Sequence, residues 1–375
     1  MRYFKHFYAL ALLCVGMGLG RFLLTPLVPV LMNEGRFTLG SLSLMASANY
    51  LGYLAGSLLG SSRALAHAIR PERVVIGCTF TTAVTLFAMG NAESEAVAMV
   101  LRFFAGMASA GLMVFGALVI FQAPHMKSVA PLFFAGVGAG IVLGNEWVNL
   151  AVFAELSSVW VWRGAGLFSL VVCGLLIFRQ PGELSQPDAA ATRPPGVPSM
   201  RWWMLVLIYG MAGFGYIIAA TYLPLLAKQT SFFPQHVWTL FGIAALPAGL
   251  YWMRLAHRIG YQKTLILNLL IQAVSTLLLA LGSPLGLVFA ALGMGSSFMG
   301  TVALVMSLAR QVVAPGAIQL MALVTFSYGI GQVLGPLVVL RFSVQETCFF
   351  AAMTLAVASV LVQLSMEEKH AIREY

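Results

Sequence analysis

Apolar residues run along this chain in twelve stretches: 7–31, 39–62, 74–90, 96–123, 129–152, 157–178, 201–228, 235–256, 263–281, 284–309, 317–341 and 344–366. A helix of about 20 apolar residues crosses a bilayer, so each stretch is predicted to be one crossing. The stretch at 74–90 is short, and several others are long enough to tilt. Between them stands one extended polar segment, 179–200, RQPGELSQPDAAATRPPGVPSM. Its prolines and small polar residues cannot continue a helix. It is predicted to be a linker between two domains of six helices each, 1–178 and 201–375. The expected fold is an all-α membrane protein of twelve transmembrane helices in two six-helix bundles.

The two halves repeat each other. Gly20-Arg21 stands nine residues before Pro29, and Gly215-Tyr216 nine before Pro224. Gly136 and Gly140 in span 5 match Gly331 and Gly335 in span 11. Both correspondences share an offset of 195 (215 − 20 and 331 − 136). Ala105-Gly106-Met107 in span 4 and Leu292-Gly293-Met294 in span 10 give 187 (293 − 106). A shared offset predicts an internal repeat and a pseudo-two-fold axis.

Composition agrees with a lipid solvent: 60% of residues are hydrophobic and 9% charged, against about a quarter charged in soluble domains. The net charge of +9 carries orientation rather than nucleic-acid binding, because the basic residues lie in short loops between apolar runs. With the N-terminus inside, Arg2, Lys5, Arg63, Arg70, Arg73, Lys127, Arg179, Arg193, Arg201, Arg254, Arg258, Lys263, Arg310, Lys369 and Arg373 all fall on the cytoplasmic side. That bias is expected to place both termini in the cytoplasm, and the expected location is a bacterial inner membrane. Cys14, Cys78, Cys173 and Cys348 sit inside apolar runs with no ligand spacing, so neither a metal nor a disulfide is expected.

Charges inside spans are the candidate chemistry. A charge at the bilayer centre costs about 2.5–3.5 kcal/mol on insertion scales, so such a residue faces protein or a water-filled cavity. Arg21, Arg102 and Glu146 fall at similar heights in spans 1, 4 and 5, where a cluster is geometrically possible. The expected second wall is neutral and aromatic: Tyr216, Tyr222, Tyr328 and Gln332, with Asn268 or Gln272. Asn49 and Tyr50 in span 2 join the candidate binding residues; such side chains more often bond helix to helix. Cations on one wall and rings on the other suit an amphipathic organic anion. Glu146 is expected either to pair with an arginine or to carry a coupling proton. Gly136, Gly140 and Gly144 make a face of small residues for close packing or for sliding between the halves. Trp147, Trp160 and Trp162 are expected at the membrane interface.

Several of these segments resemble one family. Leu101-Arg102-Phe103-Phe104-Ala105-Gly106 is similar to the fourth-span motif of the major facilitator superfamily. Gly331-Gln-Val-Leu-Gly335-Pro336 resembles its GxxxGP motif, although that motif normally lies in span 5. His257-Arg258-Ile259-Gly260-Tyr261-Gln262-Lys263 is similar to its D-R-x-G-R-K loop, with His257 where Asp is usual; the copy at 61–73 keeps only the charge. Gly16-Met17-Gly18-Leu19-Gly20-Arg21-Phe22, Thr25-Pro26-Leu27-Val28-Pro29 and Ala46-Ser47-Ala48-Asn49-Tyr50-Leu51-Gly52-Tyr53 resemble the YbfB/YjiJ-type branch. The resemblance implies the facilitator fold and alternating-access secondary transport of a small solute. It also implies proton coupling through Arg102, packing roles for Gly331, Gly335 and Pro336, no cofactor, and a monomer in lipid. Transport of lipids or a non-transporting sensor are the other functions that fold serves. An enzyme is not expected: there is no HExxH or phosphate-binding loop, and the sole Asp, Asp188, is in the linker.

Overall fold

The computed structural model describes residues 2–60, 70–123, 126–178, 200–230, 233–312 and 320–373. Among them the chain is helical, without strands, and the twelve spans appear in the expected order. Span 1 is broken: an α-helix Arg2–Leu13, a π-helical turn Cys14–Leu19, a turn at 20–23, and an α-helix Leu24–Asn33. Span 2 is Leu39–Gly60, span 3 Pro71–Met89, span 4 Glu95–Gln122, span 5 Ala130–Phe153 and span 6 Ser158–Phe178. In the second half, span 7 is Trp202–Thr230, and span 8 is Val237–Ala245 with Ala248–Ile259, bent by 49°. Span 9 is Tyr261–Leu281, span 10 Pro284–Gln311, span 11 Leu320–Val338 and span 12 Val344–Arg373. The linker at 179–199 and the eroded loop motif at 61–69 lie outside the described residues.

Local chemistry sets these boundaries. Ser94 and Ser283 cap spans 4 and 10 by accepting from the backbone N–H of Val97 and Gly286. Pro71 and Pro284 open their helices, where a missing N–H costs nothing. Gly282 ends span 9 at φ +64°, a conformation open to glycine. Among the described residues, ten helices are long and apolar enough to cross a membrane, and the bent pair of span 8 makes an eleventh. Span 2 is long but more polar: it carries Ser41, Ser43, Ser47, Asn49 and Ser57, and all five are buried. Its polarity faces protein, not lipid. Twelve crossings return both chain ends to one face of the bundle, the terminal face; the other is the distal face.

Packing follows the repeat. Spans 2 and 4, 1 and 5, and 3 and 6 pack together in the first half; spans 8 and 10, 7 and 11, and 9 and 12 do so in the second. Between the halves, span 2 meets span 11, span 5 meets span 8, and the distal part of span 1 meets span 7. A two-fold axis exchanging the halves maps this set onto itself.

Glycine contacts refine three expectations. The stripe Gly136, Gly140 and Gly144 does not slide between halves; it packs on span 1, where a Cβ on Gly18 would strike the Gly140 backbone. Gly331 and Gly335 serve span 7 in the same way. Among the span 5 glycines, it is Gly138 that meets the other half: its added Cβ would lie 2.6 Å from the Gly242 carbonyl oxygen. Gly106 presses on the Asn49 carbonyl, and Gly295 presses on the Phe241 carbonyl. By that packing Gly295 is the counterpart of Gly106, so the span 4 to span 10 offset is 189 (295 − 106) rather than 187. Arg102 therefore corresponds to Ala291; the offset of 187 would pair it with Phe289 (102 + 187), which is 61% exposed on the outside of the bundle. Trp160 is exposed as an interfacial anchor should be, but Trp162 is fully buried.

Candidate functional site

The break in span 1 creates the site. Gly16, Gly18 and Gly20 weaken the helix, and Pro26 and Pro29 withdraw two backbone donors just beyond. The backbone there shifts to i−5 bonds, Gly20 to Val15 at 2.8 Å and Phe22 to Met17 at 3.0 Å, leaving other carbonyls free. In hydrocarbon those carbonyls need donors. Arg102 supplies two: Nη1 donates to the Gly20 oxygen at 2.9 Å and Nη2 to the Arg21 oxygen at 2.7 Å. Asn49 Nδ2 donates to the Arg102 carbonyl at 2.9 Å and to Gly20 at 3.4 Å. The Ser109 hydroxyl donates to the Gly16 carbonyl. Arg102 and Asn49 thus act as braces from spans 4 and 2.

The braced turn aims Arg21 at the second half. Its guanidinium carbon lies 4.3 Å from the Tyr53 ring centre, 4.8 Å from Tyr50 and 5.5 Å from Phe22. Nη2 donates to Tyr216 Oη at 3.3 Å, and Nε has no partner. Arg21 is 2% exposed. No Asp or Glu among the described residues pairs with Arg21 or Arg102.

The facing wall is a column of rings. Tyr209 stacks on Tyr328 at 4.2 Å, Tyr328 on Tyr216 at 5.7 Å, and Tyr216 on Phe298 at 5.7 Å. Gln332 Nε2 donates to Tyr216 Oη at 3.0 Å, while its Oε1 is buried without a partner. Of the predicted residues, Arg21, Arg102, Asn49, Tyr50, Tyr216, Tyr328 and Gln332 therefore come together. Asn268 and Gln272 do not: they bond Thr301 and Ser297 between spans 9 and 10. Tyr53, Tyr209 and Phe298 join the site without having been expected there. Tyr209 stands two helical turns before Tyr216, a spacing that puts both on one face of span 7; Phe298 carries no such signal.

Toward the distal face the halves are tied together. Thr25 donates to the Ala220 carbonyl at 3.0 Å, Tyr50 Oη and Thr221 Oγ1 are 3.2 Å apart, and Ser43 Oγ and Tyr222 Oη are 2.6 Å apart. Ser47 donates to the Val333 carbonyl at 2.9 Å. Farther out, Asn145 Nδ2 reaches the Gln235 carbonyl at 2.6 Å and Thr239 Oγ1 at 2.8 Å. Glu146 belongs to this distal tie. It accepts from Thr239 and lies 3.0 Å from His236 Nδ1, so it joins neither arginine. The pair is half-exposed.

Residues 13–367 match the family described as uncharacterised MFS-type transporter YbfB. Two crystal structures of the nucleoside transporter NupG, one of them a point mutant, share the fold. The mutant superposes with a TM-score of 0.76 at 14% identity, covering 96% of this chain and 99% of that one. The other gives 0.71 at 14% identity, covering 96% and 98%.

Proposed function

We infer what the site carries from one premise: the chain belongs to the family of uncharacterised MFS-type transporters described by YbfB. It is a multi-pass membrane transporter of the secondary type. We propose that its substrate is a small organic anion with an aromatic body, moved by alternating access across the inner membrane, with the terminal face in the cytoplasm. The observation that carries this reading is Arg21. A cation is buried among rings at mid-bundle, its polar partner is a phenol, and one N–H is free. Holding it there costs about 2.5–3.5 kcal/mol on insertion scales. An incoming carboxylate offsets that cost with charge-assisted hydrogen bonds, and its ring meets Tyr216 and Tyr328.

On this reading Arg102, with both terminal nitrogens on span 1 carbonyls, positions Arg21 rather than touching substrate. Uptake of an anion against a negative interior can be driven by a co-transported cation. We assign that role to a proton, with Glu146 in the distal tie as its carrier. The test is counterflow of labelled benzoate in proteoliposomes. Exchange should occur in the parent protein and vanish in Arg21→Gln. Uridine is the neutral comparison, because the structural neighbours are named for nucleosides. Uridine exchange with no exchange of either benzoate or 4-hydroxybenzoate would refute the anion.

A further inference from the structure

We propose that Gln332 reads a hydrogen-bond donor on the substrate, so that the transported anion carries a hydroxyl or N–H group at the end away from its carboxylate. The inference rests on the reading that Arg21 receives an anion, and it narrows the substrate class.

Tyr216 stands within the column of rings, between Tyr328 and Phe298. Its ring lies nearly parallel to both neighbours, at 5° to Tyr328 and 9° to Phe298. The direction of its phenol oxygen is therefore fixed by packing. That oxygen already accepts two hydrogen bonds, from Arg21 Nη2 at 3.3 Å and from Gln332 Nε2 at 3.0 Å. Each of these groups keeps one polar atom unused: Arg21 Nε and Gln332 Oε1 are both buried with no partner. Arg21 is 2% exposed and Gln332 1% exposed, so bulk solvent does not reach either atom. Two unmatched atoms of opposite kind thus flank one rigid phenol.

A ligand that quiets both must present an acceptor to the cationic N–H and a donor to the amide oxygen. A plain aromatic acid satisfies the first and leaves the second orphaned. A site with a buried acceptor rejects analogues lacking the donor far more strongly than an apolar pocket rejects a changed methyl group. Gln332 stands on span 11 between Gly331 and Gly335, which both pack tightly on span 7, so its position is set by helix contact and not by a mobile loop.

Hydroxyl and methoxyl separate the two possibilities for the amide, because both accept but only the hydroxyl donates. Binding of 4-hydroxybenzoate and 4-methoxybenzoate to the purified protein would be measured by isothermal titration, alongside thermal shift. The expected result is roughly 10-fold or greater preference for the hydroxy acid in the parent protein. In Gln332→Met that ratio should fall to within about 2-fold of unity, with the methoxy acid binding no worse than before. Equal affinity for the two acids in the parent protein overturns the proposal whether or not the variant folds. So does a preference that survives in Gln332→Met. Binding of neither acid removes the anion reading and this inference with it, an outcome distinct from equal binding.

Discussion

Arg102 offers the sharpest test of how the site is built, through the contrast between Arg102→Lys and Arg102→Met. The structure gives Arg102 two donated bonds, at 2.9 and 2.7 Å, to the carbonyls freed by the break in span 1. Bonds to a charged group contribute about 1.5–3 kcal/mol each, so the fork is worth about 3–6 kcal/mol before desolvation. Lysine keeps the charge but is a single point, unable to reach both oxygens in the plane of a fork. It loses at least one bond, about 1.5–3 kcal/mol, and still carries the cost of a buried cation. Methionine loses both bonds, yet removes a charge whose burial costs about 2.5–3.5 kcal/mol. The net for methionine is about 0–3 kcal/mol. The expectation is that Arg102→Lys is destabilised as much as Arg102→Met, or more, and that both lose substrate binding as Arg21 drifts. Melting in detergent and titration with 4-hydroxybenzoate measure the two effects. If lysine keeps both stability and binding while methionine keeps neither, Arg102 acts through its charge and does not brace the turn.

Arg21 should behave oppositely. It has one long hydrogen bond and ring contacts, so Arg21→Met should change stability by about 1 kcal/mol or less while abolishing binding, a split that melting and titration read together. In Gly18→Ala the new methyl meets the Gly140 backbone, which cannot yield; overpacking of about 1–3 kcal/mol or more should cut folded yield. Gly77→Ala is the control: nothing lies within 4 Å of the added carbon, and removing a helix-interior glycine should stabilise by about 0.5–1 kcal/mol. Glu146→Gln in proteoliposomes should flatten the pH dependence of benzoate uptake; an unchanged profile would take the proton away from the distal tie.

How far the sequence could be read depended on the range of the physics. Apolar length gave the spans, because lipid allows little but a helix there. Span 2 survived as a crossing despite five buried polar residues, and nothing in its own pattern says whether these face protein or lipid. Arg21 and Arg102 were legible as expensive charges, but their roles were not. The partner of Arg102 is backbone released by a π-helical turn, and a π-turn has no reliable signature beyond clustered glycines. Glu146 was misjoined to the arginines because equal height along a helix leaves the azimuth free. Its partners His236 and Thr239 belong to the other half, at a junction no periodicity describes. The span 10 offset failed by two residues because Gly-Met pairs are common, whereas carbonyl contact at Gly106 and Gly295 is unambiguous.

The repeat itself explains why the site is lopsided. Arg21 meets Tyr216 and Thr25 meets Ala220, both at a separation of 195, the same offset that relates the halves. Near a two-fold axis each residue faces its own counterpart, as in an isologous interface. A faithful repeat would set arginine against arginine in a low dielectric, which is strongly repulsive. One copy must therefore become neutral, and the phenol of Tyr216 keeps an oxygen to receive the remaining cation. The same logic reaches the braces. Span 7 runs unbroken from Trp202 to Thr230, so it releases no turn of carbonyls, and Ala291 stands where the first half has Arg102. A break in one member of the repeat thus brings its own donor arginine, and the unbroken member is free to be a wall of rings. Breaking span 7 at Tyr216 without adding a donor on span 10 should unfold the second half before it alters the first.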